Sequence, residues 1–235
     1  MNYFRQKLDI ETKKDETPVT IADKEAELNI RKLIHDKYPT HGILGEEQGL
    51  ENPKAEYLWI IDPIDGTKSY LAGKPMFGTL ISLAHQGRPI LGIIDQPFLN
   101  ERWQGAIGYK TVYNNSETTT RTCPDLTKAT LNSTSPEMFS KTEYRKFFRL
   151  SEQVLMTMYG GDCYAYGLLA NGYIDLIIEA DLKPYDFCAL VPIVIGAGGA
   201  IIDWQGQAID INSDGRVIAS GDPKIISEAT KILTG

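Results

Sequence analysis

The chain is poor in the residues that build disulfide frameworks and zinc sites. It contains three cysteines, Cys123, Cys163 and Cys188, and three histidines among 235 residues. The cysteines include no Cys-x-x-Cys pair, and the histidines include no His-x-x-x-His pair. We therefore expect neither structural disulfides nor structural zinc.

Long apolar runs and runs of basic residues are also missing. No stretch approaches the roughly 18 apolar residues of a membrane span, and residues 1–7 lack the apolar centre of a signal peptide. The 24 basic and 31 acidic residues leave a net charge of −7. We expect a cytoplasmic protein with no nucleic acid partner and no membrane partner. An anionic substrate would need a metal ion to bridge it to so acidic a protein.

The glycine loops of common nucleotide sites are absent too. No Gly-x-Gly-x-x-Gly follows a strand-like segment, and no Gly-x-x-x-x-Gly-Lys occurs, which sets aside dinucleotide and P-loop sites. The length suits a single domain, with an N-terminal half of about residues 1–120 and a C-terminal half of about residues 121–235. Strand and helix patterns alternate without a strict βαβ repeat, so we predict an α+β fold with mixed sheets.

Helix signals are clear at several places. Thr20, with Asp23 three residues later, caps a predicted helix whose apolar positions are Ala22, Ala26, Ile30, Leu33 and Ile34, and which ends before Pro39. The other predicted helices cover residues 135 to about 150, 162–170, 187 to about 197 with a bend at Pro192, and a last one capped by Asp222 and Pro223. The predicted strands are 58–61, 75–84, 89–95, 106–113, 126–133, 173–179, 200–203 and 217–220.

One segment, Leu58 to Thr67, carries most of the chemistry. Its apolar strand ends in Asp62-Pro63-Ile64-Asp65, which places two carboxylates at the strand end. Gly66 then lets the backbone approach a ligand, and Thr67 offers an amide and a hydroxyl where a helix could begin. Such parts suit a phosphate bridged to a metal. Taken alone, the segment also fits an ordinary turn, because Asp, Pro and Gly are common turn residues.

Further acids stand at the ends of other predicted elements. Glu46 follows a short apolar pair and Asp186 precedes an apolar helix, so both could converge with Asp62 and Asp65. Four oxygen ligands without histidine or cysteine favour Mg²⁺ or Mn²⁺ over zinc. Two such cations could clamp the attacking and leaving oxygens of a phosphoryl transfer. The local alternatives are solvated charge for Glu46 and helix capping for Asp23.

Three separated motifs give the chain a family resemblance. Residues 62–67, with Gly45-Glu46-Glu47 upstream and Tyr185-Asp186 downstream, resemble the signature of the inositol monophosphatase family of Mg²⁺-dependent, lithium-sensitive phosphatases. The match in order and spacing runs from about Lys13 to Asp203. The resemblance implies an αβαβα layered sandwich of the inositol monophosphatase/fructose-1,6-bisphosphatase type, two or three Mg²⁺ ions per site, a small phosphorylated metabolite as substrate, and a homodimer.

The resemblance also implies roles for individual residues. Glu46, Asp62 and the carbonyl of Ile64 would hold one Mg²⁺, and Asp62, Asp65 and Asp186 a second, with a weaker third near Glu46. The amides of Gly66 and Thr67 would bind phosphate, and Asp23 would orient Thr67. Water activated by the metal near Glu46 and Thr67 would be the nucleophile. A family lysine upstream of Pro18 could be Lys13 or Lys14.

Within the family, the histidinol-phosphate phosphatases match best. The segments that resemble them include residues 41–47, 77–80, 94–97, 101–103, 160–166 and 182–186. The inositol phosphatases have a small neutral stretch where this chain has Asp162, and Glu179 matches a position that touches the leaving group. Histidinol phosphate carries an ammonium and an imidazole, which Asp162 and Glu179 could pair with.

Other interpretations stay open at this point. Asp162 could instead be a helix N-cap. The chain could be an inositol-1-monophosphatase, or a broad sugar-phosphate or 3′-phosphonucleotide phosphatase of the same fold. It could also be a non-catalytic Mg²⁺-binding protein. Only 22 residues precede Asp23, about one helix fewer than in family members, which puts the dimer packing in doubt.

Overall fold

Two mixed sheets organise the chain. The computed structural model describes residues 1, 3–6, 11–12 and 18–235, so Lys13 and Lys14 lie outside the described residues. The strands are β1 (Glu11–Thr12), β2 (Pro18–Val19), β3 (Gly42–Gly45), β4 (Gly49–Glu51), β5 (Tyr57–Asp65), β6 (Gly78–His85), β7 (Arg88–Gln96), β8 (Glu101–Ala106), β9 (Val112–Tyr113), β10 (Ser116–Glu117), β11 (Thr130–Ser133), β12 (Met156–Tyr159), β13 (Leu176–Glu179), β14 (Ala200–Asp203) and β15 (Val217–Ser220).

The helices lie outside and between these sheets. They are α1 (Ile21–Lys37), α2 (Thr67–Leu71), α3 (Lys141–Ser151), α4 (Asp162–Ala170), α5 (Pro184–Phe187), α6 (Leu190–Gly196) and α7 (Pro223–Thr234), with 3₁₀ turns at Leu126–Lys128 and Pro136–Met138. No helix among the described residues is long and apolar enough to cross a membrane.

The sheet topologies confirm the prediction of mixed sheets. The large sheet has the strand order β10-β9-β8-β7-β6-β5-β3-β4 and is antiparallel except for the pair β3 and β5. The small sheet has the order β12-β11-β13-β15-β14, parallel on one side of β13 and antiparallel on the other. Gln86 and Gly87, both with positive φ, make the tight turn between β6 and β7.

Five layers follow from the packing. Helix α1 covers one face of the large sheet at β5, while α4 and α6 fill the space between the two sheets, and α3 and α7 pack together outside the small sheet. The largest buried apolar cluster lies in the middle layer and includes Trp103, Tyr166 and Phe187, all at most 1 % exposed. A second cluster, centred on Phe147 and Leu150, lies under α3 and α7. The α+β, αβαβα fold expected from the sequence is confirmed.

Several predicted elements are wrong in their bounds. The strand predicted at 106–113 is in fact β8, which ends at Ala106, followed by a turn at Gly108 (φ +86°) and the short β9. The strand predicted at 126–133 is a 3₁₀ turn and then β11. The edge strand β12 has no counterpart among the predicted elements.

The two predicted helices at 135–150 and 187–197 are also wrong, each for a local reason. Ser135 and Pro136 open only a 3₁₀ turn, because Ser140 forms a complete capping box with Glu143 and starts α3. The second helix starts earlier, at Pro184, and is broken at Cys188 and Ala189 rather than bent at Pro192. Pro192 lacks the N–H that would bond to the carbonyl of Cys188, four residues back, and the helix is interrupted at that point.

The prediction for α1 is correct in its ends but only partly correct in its buried face. The helix ends at Lys37, and Thr20 and Asp23 form the expected capping box. Ala22 and Ile34 are buried, whereas Leu33 is 65 % exposed. The buried stripe runs instead through Asp23, Glu27 and Arg31, which are stabilised there by hydrogen bonds.

Candidate active site

Strand β5 is longer than predicted and contains both central acids. It continues through Asp62 to Asp65, and its register with β6 shifts between these residues. The shift bends the strand end, where Asp62 Oδ1 accepts a hydrogen bond of 2.9 Å from the amide of Ile64. The hydroxyl of Thr79 donates to the carbonyl of Pro63 at 2.8 Å and holds the bend from β6.

Gly66 makes the turn from β5 into α2. It is left-handed (φ +83°), and a Cβ there would lie 2.8 Å from the carbonyl oxygen of Met76. Only glycine fits this conformation and space without strain. Helix α2 then begins at Thr67, as the sequence predicts, and the Thr67 hydroxyl donates to the carbonyl of Ile64 at 3.0 Å.

Asp186 reaches the same point from the C-terminal half. It lies in the first turn of α5, where its Oδ2 accepts from the amide of Lys183 at 2.7 Å. Asp62, Asp65 and Asp186 each offer a carboxylate oxygen, and these oxygens lie within 4.8 Å of one another. Three of the acids singled out in the sequence therefore form one cluster that could hold a metal ion.

The electrostatics of the cluster call for a cation. Burial raises the pKa of Asp62 well above its ordinary value, and the charges of Glu46, Asp65 and Asp186 raise it further. Burial and then the charges of Asp162 and Asp186 raise the pKa of Asp65 in the same way. The pKa of Asp186 rises to about 7, mainly through burial. Carboxylates so close together are stabilised in their charged form by a bound cation.

The donor set fits a hard divalent ion. The clustered ligand atoms are all carboxylate oxygens, with no histidine or cysteine among the three residues. Mg²⁺ and similar ions prefer such ligands, whereas zinc prefers nitrogen and sulfur. The acidic cluster therefore suits the metal-dependent chemistry expected from the sequence.

A cleft of about 500 Å³ opens beside the cluster. Seven of the residues singled out in the sequence line it, from both halves of the chain: Glu46, Asp65, Gly66, Thr67, Asp162, Glu179 and Asp186. Asp62, which is 2 % exposed, and Ile64 and Asp23 are not among its lining residues. A cleft of this volume accommodates a small-molecule ligand.

Glu179 is buried in this cleft, and both of its carboxylate oxygens accept hydrogen bonds. Its Oε1 accepts from the amide and the hydroxyl of Thr134 at 3.1 and 2.5 Å, and its Oε2 accepts from the hydroxyl of Tyr166 at 2.7 Å. Burial raises the pKa of Glu179 to about 7, although these hydrogen bonds oppose the rise. The carboxylate is thus oriented by three hydrogen bonds, and its pKa stays raised despite them.

Asp162 occupies the first position of α4 with an unusual backbone. Its φ is +45°, and its Oδ2 accepts from the hydroxyl of Ser69 at 3.4 Å. Burial raises its pKa to about 6, against the hydrogen bond of Ser69 and the charge of Lys68. Asp162 is not the N-cap of α4: Gly161 has that position, and the amide of Cys163 donates to Asp65 instead.

Asp23 takes the capping position that the sequence offered as an alternative. Its Oδ2 accepts from the amide and hydroxyl of Thr20 at 2.8 and 2.6 Å. Its Oδ1 is buried and has no hydrogen-bond partner among the described residues. The Thr67 hydroxyl is bonded to Ile64, so the hydrogen bonds of the described residues assign Asp23 to the helix start and leave one of its oxygens available.

Sequence reasoning missed the residues that support these side chains. Thr134 and Tyr166 orient Glu179, and Glu27 and Arg31 lie buried beneath the turn that carries Glu46. Tyr166 falls within the segment 160–166 but was given no role there, and no motif pointed to the others, because each contacts the site from a distant part of the chain. The i, i+4 spacing of the oppositely charged Glu27 and Arg31 on the predicted helix was the one local signal.

Comparison with known proteins decides the family. The sequence profile described as the inositol monophosphatase family matches residues 1–234. The chain belongs to the inositol monophosphatase family. It is accordingly a phosphoric monoester hydrolase of this family.

Individual relatives agree with the family assignment. A bifunctional phosphatase, IMPL2, of Arabidopsis thaliana is 48 % identical over 98 % of the chain and 69 % of the relative. A histidinol-phosphatase of Chlorobaculum parvum is 35 % identical over 94 % of the chain and 86 % of the relative. The structure of an inositol monophosphatase from Zymomonas mobilis superposes with a TM-score of 0.92 and 45 % identity, covering 100 % of this chain and 91 % of that one.

Proposed function

We propose that this protein is a Mg²⁺-dependent phosphatase that hydrolyses L-histidinol phosphate to L-histidinol and phosphate, a step in histidine synthesis. The choice of substrate rests on two acids, Asp162 and Glu179, that line the same cleft as the metal cluster. Neither acid belongs to the cluster of three proposed ligands, and each can pair with a cationic leaving group. Relatives named histidinol-phosphatase in Chlorobaculum parvum and Mycobacterium tuberculosis, at 35 and 33 % identity, support the same substrate.

We propose that Glu46, Asp62 and the carbonyl of Ile64 hold one Mg²⁺ and that Asp62, Asp65 and Asp186 hold a second, with a weaker third ion near Glu46. Support comes from the closeness of the three aspartates and from the charge of Glu46, which acts on both Asp62 and Asp186. When bound, Mg²⁺ would neutralise the phosphate charge and lower the pKa of a water molecule.

The protein groups around the phosphate would orient it and handle protons. The amides of Gly66 and Thr67 would donate to phosphate oxygens, because the left-handed Gly66 leaves the start of α2 free of a side-chain cap. Glu46 would accept the proton of the attacking water. Thr67 donates its own proton to Ile64, so its oxygen can accept a hydrogen bond from that water.

Asp23 would assist Thr67 indirectly. Its charge reaches Tyr70, one helical turn after Thr67, since it contributes after burial to the raised pKa of that phenol. Its unpartnered Oδ1 could accept the Thr67 hydroxyl if that hydroxyl turned away from Ile64. The capping of α1 and the orientation of Thr67 would then use different oxygens of one carboxylate.

A second candidate function keeps the same site with another substrate. The Zymomonas mobilis structure at 45 % identity is described as an inositol monophosphatase. The alternative is therefore hydrolysis of inositol 1-phosphate, or broad activity on sugar phosphates or 3′-phosphonucleotides. An uncharged polyol would leave the carboxylate of Asp162 without a cationic partner in the bound substrate.

Replacing Asp162 separates the two candidates. Asp162→Asn should lower kcat/KM for histidinol phosphate by about 10- to 100-fold, because hydrogen bonds to charged groups contribute about 1.5 to 3 kcal/mol. The kcat/KM of the same variant for an aryl phosphate, which has no ammonium, should fall little. Asp36→Asn, on the exposed face of α1, makes the same charge change and is the control. Equal loss on both substrates would count against the proposed specificity.

We further propose that two copies of the chain form a homodimer through the edge strand β12. Five apolar side chains around this edge, Tyr144, Phe148, Met156, Met158 and Tyr159, are 40 to 52 % exposed. The outer backbone edge of β12 has no partner strand among the described residues. Pairing with β12 of a second copy would satisfy those groups and cover the patch symmetrically.

A further inference from the structure

The buried face of α1 carries charge where an apolar stripe would be expected. Glu27 is completely buried and Arg31 is 5 % exposed. A buried carboxylate is costly unless it is paired and hydrogen-bonded, so its retention requires specific partners. Arg31 Nε supplies one of them, donating to Glu27 Oε1 at 2.8 Å.

The other partners of Glu27 are two consecutive backbone amides. The amide of Glu47 donates to Oε2 at 2.7 Å, and the amide of Gln48 donates to Oε1 at 3.0 Å. Both amides belong to the turn between β3 and β4, which begins at Glu46. A side chain from α1 therefore holds the backbone directly after a proposed metal ligand.

The rest of the turn is held by Arg31 and by β5. Arg31 Nη2 donates to the carbonyl of Gly49 at 2.5 Å, and the amide of Glu46 donates to the carbonyl of Ile61 at 3.2 Å. Four successive residues, 46 to 49, are thus bonded to α1 or to β5. Since Ile61 directly precedes Asp62, the turn is tied to the strand that carries the aspartates.

The end of β3 is shaped around the same carboxylate. A Cβ at Gly45 would overlap the side chain of Glu27, and the three nearest atoms to it all belong to that side chain. No positive φ requires glycine at this position. The close approach of Glu27 is therefore what demands a glycine before Glu46.

We infer that Glu27 is a positioning residue: together with Arg31 it fixes the turn that presents Glu46 to the cleft, and so sets the affinity of the site for Mg²⁺. This inference rests on the proposed Mg²⁺-dependent function. Glu46 lines the cleft, and its charge acts on Asp62 and Asp186, so a displaced turn would take both a ligand and a nearby negative charge away from the metal cluster. Groups that orient metal ligands typically change metal affinity by about 10- to 100-fold when mutated.

Metal binding without substrate is the first test. Glu27→Gln keeps the shape of the side chain but replaces one acceptor oxygen with a donor that faces an amide. Calorimetric titration with Mg²⁺, repeated with Mn²⁺, should show about 10- to 100-fold weaker binding. Amide exchange at Glu47 and Gln48 should accelerate in the same variant. Glu25→Gln, an exposed position on the same helix, should bind Mg²⁺ like the wild type.

Kinetics separate positioning from general damage. In Glu27→Gln the half-saturating Mg²⁺ concentration should rise by about the same factor as the dissociation constant, while KM at saturating Mg²⁺ should stay within about twofold of the wild type. A lowered melting temperature with unchanged Mg²⁺ affinity would mean that Glu27 acts only on stability and would overturn the inference.

Gly45→Ala gives a second, independent variant from β3. Its methyl group would displace the Glu27 carboxylate, so Mg²⁺ binding should weaken as in Glu27→Gln. In a Glu27→Ala background the space is open, and Gly45→Ala should then have no further effect. Additive losses would contradict the inference, because they would show that the two residues act separately. A wild-type protein that binds no Mg²⁺ would instead refute the proposed function itself.

Discussion

The amide of Cys163 donates a hydrogen bond of 2.5 Å to Asp65 Oδ2, joining residues 98 positions apart in the chain. Asp65 belongs to the acidic cluster at the end of β5, and Cys163 lies in the first turn of α4 directly after Asp162. One carboxylate therefore connects the cluster to the helix that carries the proposed specificity residue. A change at the metal site should be transmitted to Asp162 through this bond.

The metal-free protein should lose stability as the pH rises from about 4 to about 7. The folded-state pKa values of Asp162, Glu179 and Asp186 are raised to about 6, 7 and 7 by burial. The folded state then binds more protons than the unfolded state between the ordinary and raised values, so the free energy of unfolding falls across that window. Melting temperatures measured in EDTA at several pH values check this.

Mg²⁺ should reverse that trend. The ion requires deprotonated carboxylates, so its binding should release protons and raise the melting temperature more at pH 8 than at pH 5. Asp214 and Asp222, whose pKa values are lowered, contribute stability that is lost only as the pH falls below their ordinary range. A metal-free melting temperature that rose from pH 5 to pH 7 would contradict the raised values.

Asp186→Asn should stabilise the metal-free protein and inactivate the enzyme. The substitution removes one of three clustered, mutually repelling carboxylates, so the melting temperature in EDTA should rise at pH 8. Loss of a ligand that stabilises transition-state charge should lower kcat/KM by about a hundredfold or more. Asp36→Asn serves again as the control and should change neither quantity. Full activity in Asp186→Asn would rule out its place among the ligands.

Gly92→Ala should be strongly destabilising. A Cβ at this position in β7 would overlap the backbone of Ala189, in the break between α5 and α6. Overpacking of this kind costs about 1 to 3 kcal/mol, and here the obstacle is backbone rather than a flexible side chain. Urea unfolding measures the loss of stability. A midpoint equal to that of the wild type would show that the backbone at Ala189 can move away from β7 without cost.

Met158→Lys should produce a monomer if β12 is the dimer edge. A charge on each copy of the paired strand would face apolar side chains and the symmetry-related charge. Light scattering after size-exclusion chromatography gives the mass directly. Leu33→Lys, on the exposed side of α1, is the matched control and should remain dimeric. If only Leu33→Lys were monomeric, the interface would lie at α1 and not at β12.

Local sequence signals predicted much of the site because several of its residues are close together in the sequence. Asp62, Asp65, Gly66 and Thr67 follow one strand, and their order alone indicates a strand end that turns into a helix. The positions of Glu46 and Asp186 at element ends only made their convergence with β5 possible, and their assignment as ligands came from the family resemblance. The layered fold followed from the alternation of elements, whereas Ser140 and Pro192 changed helix bounds through capping and a missing N–H.

The supporting contacts could not be predicted in this way. Glu27 was not among the positions singled out in the predicted helix, and only the tertiary structure shows that it bonds to the turn after Glu46. Tyr166 and Thr134 bond to Glu179 from different layers. Hydrogen bonds between distant residues leave no periodicity and no fixed spacing in the sequence.

The central claim is that this family member hydrolyses a cationic phosphomonoester with the help of Mg²⁺. The most direct test is phosphate release from L-histidinol phosphate and from inositol 1-phosphate, each with Mg²⁺ and with EDTA. We expect a kcat/KM at least about tenfold higher for histidinol phosphate, and loss of both activities in EDTA. A preference for inositol 1-phosphate would contradict the role of Asp162, and turnover in EDTA would contradict the metal site.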